Sequence, residues 1–114
     1  MIYLSATSTT LLANGISTTT ISSNVIYDLR GWPLLEGTLL TVISTDTNGN
    51  PIGYLPADQS TSNRGKQLSV NSDGKLIFDF RAGTTAGVAT INVYVGYGKS
   101  ALEGLLGTIN ITLQ

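Results

Sequence analysis

Hydrophobic and polar side chains alternate over two long runs on either side of a turn of small residues. In the first, Leu76, Phe78 and Phe80 alternate with Ile77, Asp79 and Arg81. In the second, Ala89, Ile91, Val93 and Val95 alternate with Thr90, Asn92 and Tyr94. A period of two marks an extended strand with one face for a core and one for water. On this parity Phe78, Phe80 and Ile91 point inward, and Tyr94 points outward to a position at least partly exposed. Phe78 and Phe80 are the chain's two phenylalanines, so much of its apolar mass gathers here.

Weaker runs of the same kind fill the rest of the chain. Residues 2–13 carry Leu4, Leu11 and Leu12 among serines and threonines, and read as a first strand ending at the Asn14-Gly15 turn signal. Thr19, Ile21, Ser23, Val25 and Tyr27 share one parity in a second, β-branched strand. Residues 28–37 form a turn, broken by Gly31 and Pro33, in which Asp28 can accept bonds from the amides ahead of it. Residues 38–45 are apolar on both faces, as in a central strand. Residues 46–65 are irregular, with a short edge strand at 52–55 confined by Pro51 and Pro56. A strand at 66–70, turned by Ser72-Asp73-Gly74 as a hairpin, leads into the strand that holds the phenylalanines. The helix-like run 99–106 sits between glycines and strands and reads as a loop or bent strand start. A last strand at 102–113 places Ile109, Ile111 and Leu113 on one face. About seven antiparallel strands with turn signals every 8–12 residues or so predict an all-β Greek-key sandwich. With an odd number of crossings, the chain enters at one pole and leaves at the other, which suits a module in a string.

Composition narrows the chemistry. At 114 residues the chain makes a single domain, 1–114. A hydrophobic share of 41% and a charged share of 11% place it outside the disordered class. Six basic residues against seven acidic ones form no basic stripe, so nucleic acid is not an expected partner. Cysteine and histidine are both absent, which removes disulfides, thiolate metal sites and the usual general base. No apolar run approaches the ~20 residues that cross a bilayer, so no membrane insertion is expected. The first residues lack a basic and an apolar region, so no signal peptide is read. A secreted origin then requires that these residues be a mature or excised fragment.

Several segments resemble one family. VIYDLRGWPLLEGTLLTV is similar to the second-to-third-strand region of bacterial Ig-like domains of the invasin and intimin type, where a strand ends in V-x-D and the turn carries G-x-P-(L/V)-x-G. FRAGTTAGVATINV, GTINITL and LLANGISTTTISSNV resemble its fifth-to-sixth-strand, last-strand and first-to-second-strand passages. The resemblance covers most of the chain and is weakest over residues 46–67. It implies a seven-stranded Ig-like sandwich, an extracellular, cell-surface or virion location, and a role as spacer or adhesive tip without catalytic residues. Its expected partners are neighbouring modules of the same polypeptide and a host surface protein or glycan. Trp32, standing where the family usually has a small polar residue, and the long 46–65 loop depart from the pattern.

The candidate partner-binding residues are Arg30, Trp32, Tyr54 and Tyr94, with Tyr97 beside them. Trp32 has two readings: its ring folds over the end of the core and seals it, or it stands exposed as an anchor for a protein or sugar ring. Residues 46–50 carry side-chain oxygens at alternate positions, yet Pro51 and Ala57 stand where an EF-hand loop needs Gly and Glu, so a turn is the better reading. Glu36 and Glu103 fall in turns, and Lys66, Lys75 and Lys99 lie near turns, so none reads as an activated acid, base or nucleophile. No cofactor and no enzymatic activity are expected. Pro51, Pro56 and Lys66 blunt the presumed edge, so the isolated domain is expected to be a monomer.

Overall fold

Burial follows the alternation in the strand that carries the phenylalanines. The computed structural model describes residues 2–28, 30–55, 66–95 and 104–114. Its strands are β1 (Leu4–Ala6), β2 (Thr10–Leu11), β3 (Thr18–Ser23), β4 (Leu39–Thr45), β5 (Lys66–Ser69), β6 (Ile77–Arg81), β7 (Gly87–Val95) and β8 (Leu105–Leu113). In β6, Phe78 and Phe80 are buried while Ile77 and Asp79 are exposed. In β3, Thr19, Ile21 and Ser23 turn inward as their shared parity predicts. In β4, residues 40–44 are buried on both faces.

The strands form two sheets, a three-stranded one ordered β1-β3-β6 and a five-stranded one ordered β2-β8-β7-β4-β5. β3 pairs with β6 in the first and β4 with β7 in the second, both antiparallel. The chain therefore crosses between the sheets at β3–β4 and again at β6–β7, and these two interlocked pairs are the Greek-key centre of the sandwich. Ile21, Phe78 and Phe80 from one sheet share a single apolar cluster with Val42, Ile91, Val93 and Ile111 from the other. Each such side chain contributes roughly 1.5–3 kcal/mol on leaving water. The ends of the chain lie at opposite poles. Ile2 N donates to Leu106 O at the start of β8, and Gln114 N donates to Leu11 O beyond its end.

Four expectations need correction. The first strand is two strands, because residues 7–9 carry the chain from β1, paired with β3, to β2, paired with β8 in the opposite sheet. That raises the described strands to eight, and the β2–β8 pair is parallel. The turn at 71–74 closes as a tight turn but joins no hairpin, since β5 and β6 belong to different sheets. The 52–55 segment forms one bridge instead of a strand: Tyr54 exchanges backbone bonds with Arg81 at the end of β6 (2.9 and 3.1 Å).

The last correction concerns parity near the end of β7. Tyr94 lies opposite Thr41 and does share the outer face with Ile43, but it is only 5% exposed because Tyr94 and Ile43 form a second apolar cluster there. Val95, on the inward parity, is 53% exposed, beyond the register shift between Val93 and Tyr94 where the sandwich opens. In β3 the parity also ends at Ser23, after which Ile26 is buried and Tyr27 exposed.

Two substitutions test this packing. Gly53 has φ +74°, and a Cβ there would fall within the Phe80 ring and 3.0 Å from Arg81 O. Gly53→Ala should destabilise by about 2 kcal/mol or more in urea unfolding. Thr41 Oγ1 is buried with no hydrogen-bond partner. Thr41→Val removes the orphaned hydroxyl and should stabilise by about 1 kcal/mol; a loss of that size would contradict the assignment.

Candidate functional site

One five-residue turn recurs three times and shapes both poles. At Asp28, the side-chain Oδ1 accepts from Arg30 N (2.9 Å) and Trp32 N (3.0 Å). Asp28 N donates to Trp32 O and Gly31 N donates to Asp28 O. Asp46 holds the amides of Asn48 and Asn50 in the same way. Asn71 holds those of Asp73 and Lys75. In each case the fourth residue is a glycine with positive φ, Gly31 at 86°, Gly49 at 83° and Gly74 at 76°. Asp or Asn at the first position and Gly at the fourth are thus a local code for the turn, because the short side chain caps its own backbone and only Gly turns left-handed without strain. The same code accounts for the oxygen-rich run at 46–50, whose Asp46 Oδ1 is engaged by amides. Among the described residues no group of three or more His, Cys, Asp or Glu could hold a metal.

The Asp28 turn presents Trp32. Leu34 takes the inward contact and packs on the core, while the exposed Pro33 lies against Gly74 of the neighbouring turn, beside Val25. Trp32, one residue before Pro33, faces away and is 67% exposed. Of the two readings of Trp32, the ring that seals the core is therefore corrected; Leu34 packs on that part of the core instead. Leu35, 81% exposed, stands near it. A shallow cleft of about 470 Å³ runs between Asp28, Arg30, Trp32, Leu35 and Thr38. Beside it an apolar cleft of about 270 Å³ is lined by Tyr27, Leu34, Leu39, Val95 and Leu106.

The four candidate residues do not form one surface. Arg30 and Trp32 share the pole at the start of β4, and the Arg30 guanidinium lies 3.5 Å from Asp28 Oδ2 in an exposed pair. Tyr54 lies at the opposite pole, where the Arg81 guanidinium sits 4.2 Å from its ring centroid and reaches Gly15 O (2.8 Å). There Tyr54 borders a cleft of about 360 Å³ with Asp46, Pro51, Thr84 and Thr85. Tyr94 is buried on the outer face of the five-stranded sheet. Tyr97, Lys99 and Glu103 lie outside the described residues, and Glu36 is exposed in its turn. Leu35, which the sequence pattern does not single out, and Tyr27, which it places on the parity of the second strand, line the two clefts at this pole.

The fold defined by these sheets is that of bacterial Ig-like domains of the intimin and invasin type. Against a C-terminal 282-residue fragment of intimin, solved in complex with the intimin-binding domain of the translocated intimin receptor, the TM-score is 0.63 at 16% identity over 99% of this chain. Against the adhesin InvE of Yersinia pseudotuberculosis it is 0.54 at 25% identity over 98%. A glycosyl hydrolase family 2 member from Bacteroides cellulosilyticus scores 0.61 at 17% identity over 99%. This chain spans 33%, 26% and 14% of those three chains. No family model matches the chain, and no curated protein matches it in sequence. The same sandwich thus occurs in adhesins and in an enzyme chain, and fold alone assigns no role.

The Asp28 carboxyl is held below its ordinary value of 3.8, first by the Trp32 amide and then by the amide and guanidinium of Arg30. A folded-state value below the unfolded one adds stability above about pH 4, lost as pH falls through the folded value. Asp28→Asn should flatten the acid side of the Tm–pH profile, and Asp28→Ala should lower Tm at neutral pH as well. An unchanged acid limb in Asp28→Asn would contradict this role.

Proposed function

We propose that this domain is a non-catalytic Ig-like module of a bacterial surface adhesin, serving as a spacer and adhesive element. The observation that carries the reading is a sandwich of the intimin and InvE kind whose ends lie at opposite poles, so that a polypeptide passes straight through it. Among the described residues, Asp28, Asp46 and Asn71 cap their own turns and are already engaged by backbone amides. On this reading its partners are neighbouring modules of the same polypeptide, and as an isolated domain it is a monomer. Antibody against the domain should label intact cells of the source bacterium. Labelling that appears only after permeabilisation would overturn the placement, and labelling of purified phage particles would move the module to a virion.

A second reading is favoured by one observation, the exposure of Trp32 above a cleft. On it the Asp28 turn is an anchor for a host surface protein or glycan, since exposed Trp is a common centre of binding energy. Trp32→Ala should then reduce retention of domain-coated beads on host cells roughly 30-fold, the size of an interface hot spot. Its Tm should stay close to the parent value, as for exposed surface positions. Equal retention of the two proteins would remove the anchor.

A further inference from the structure

Three segments converge at the pole opposite Trp32. They are the Asp46 turn, residues 51–54, and residues 83–85 between β6 and β7, and together they line the cleft of about 360 Å³. That volume lies at the low end of the roughly 300–1,000 Å³ typical of small-molecule sites. Tyr54 supplies an aromatic wall that is fixed before any ligand arrives. Its backbone exchanges bonds with Arg81, whose guanidinium lies 4.2 Å from the ring centroid and donates to Gly15 O (2.8 Å). A ring held in this way loses little freedom on binding. Asp46 supplies a charged acceptor. Its Oδ1 is taken by the amides of Asn48 and Asn50, and among the described residues no group donates to its Oδ2. Thr84 and Thr85, both exposed, add two hydroxyls from the third segment.

We propose that this cleft binds a single neutral sugar ring. A hexopyranose presents hydroxyls along its edge and C–H groups on its faces. Its vicinal hydroxyls donate to the open Asp46 oxygen and exchange bonds with Thr84 and Thr85, while a C–H face packs on Tyr54 and Pro51. Other ligand classes match the lining less well. An anion meets the Asp46 carboxylate and finds Arg81 already turned to Tyr54 and Gly15. A metal ion finds no second carboxylate among the residues that line the cleft. An aliphatic ligand leaves the Asp46 oxygen and both hydroxyls unmatched. The site goes beyond the adhesin reading, since it requires neither Trp32 nor a place on the cell surface.

Amide chemical shifts of the isotope-labelled domain test the assignment, with methyl α-glucoside, methyl α-galactoside, methyl α-mannoside and N-acetylglucosamine as probes. At least one of them should give saturable shifts at Gly53, Tyr54, Thr84 and Thr85, with roughly millimolar affinity for so small a ligand. Asp46→Asn keeps an oxygen to cap the turn, as Asn71 does in its own turn, but removes the carboxylate. It should weaken binding at least about tenfold with little change in Tm. Replacing both hydroxyls, Thr84→Val with Thr85→Val, should weaken binding roughly three- to tenfold. Undiminished binding by Asp46→Asn, or no saturable shift at the cleft with any of the sugars, would overturn the proposal. So would saturation there by acetyl-lysine methylamide alone, which would make a cationic side chain the ligand. Shifts confined to the Asp28 turn would favour the Trp32 anchor and equally overturn this cleft. The labelling of intact cells tests the surface reading separately from every one of these results.

Discussion

The structure depends on one contact plane, where side chains of β6 and β3 meet those of β4, β7 and β8. Phe80 and Ile91 come from opposite sheets and are fully buried in the same cluster. A sheet with one apolar face is stable only when that face is covered, and here each sheet covers the other. The interlocked pairs β3–β6 and β4–β7 make the arrangement hard to undo piecemeal, because the connections cross from sheet to sheet. The core interior is thus spent on cohesion, and the poles and outer faces are what remains for recognition.

At the poles a single local device is reused. Asp28, Asp46 and Asn71 each cap two amides of their own turn, with a left-handed glycine at the fourth position. The turns satisfy their backbone groups internally, so the residue that closes each one is free to differ. At the Asp28 turn that residue is Trp32, and its exposure goes with the inward contact being taken by neighbouring Leu34. The opposite pole, which holds the Asp46 turn, has in addition Arg81 tying Tyr54 and Gly15 together. The two poles therefore offer different surfaces, one apolar and aromatic, the other more polar.

Much of this was legible where the cause is local. The inward positions of Phe78, Phe80, Ile21 and Ile91 follow from the strand period, and the Asp28 turn follows from side-chain capping within five residues. What was not legible has non-local causes. Tyr94 points outward as its parity requires, but Ile43, some fifty residues earlier in sequence, meets it there. The orientation of Trp32 depends on how its turn leans on the Asn71 turn from another part of the chain. The Ser72-Asp73-Gly74 turn is correctly read as a turn, yet nothing within it tells whether the following strand folds back on its own sheet or crosses to the other. The division of the first strand between β1 and β2 is of the same kind: Leu4 and Leu11 look alike, and their partners lie far away in sequence.

The most direct test of the account is residue-resolved amide hydrogen exchange under native conditions. If the interlocked pairs hold the sandwich together, the slowest amides will fall in β3, β4, β6 and β7, around Ile21, Val42, Phe80 and Val93, and will exchange only by global unfolding. If those amides exchange as quickly as the ones in the exposed turns, the two sheets are not joined by a common core and the account fails.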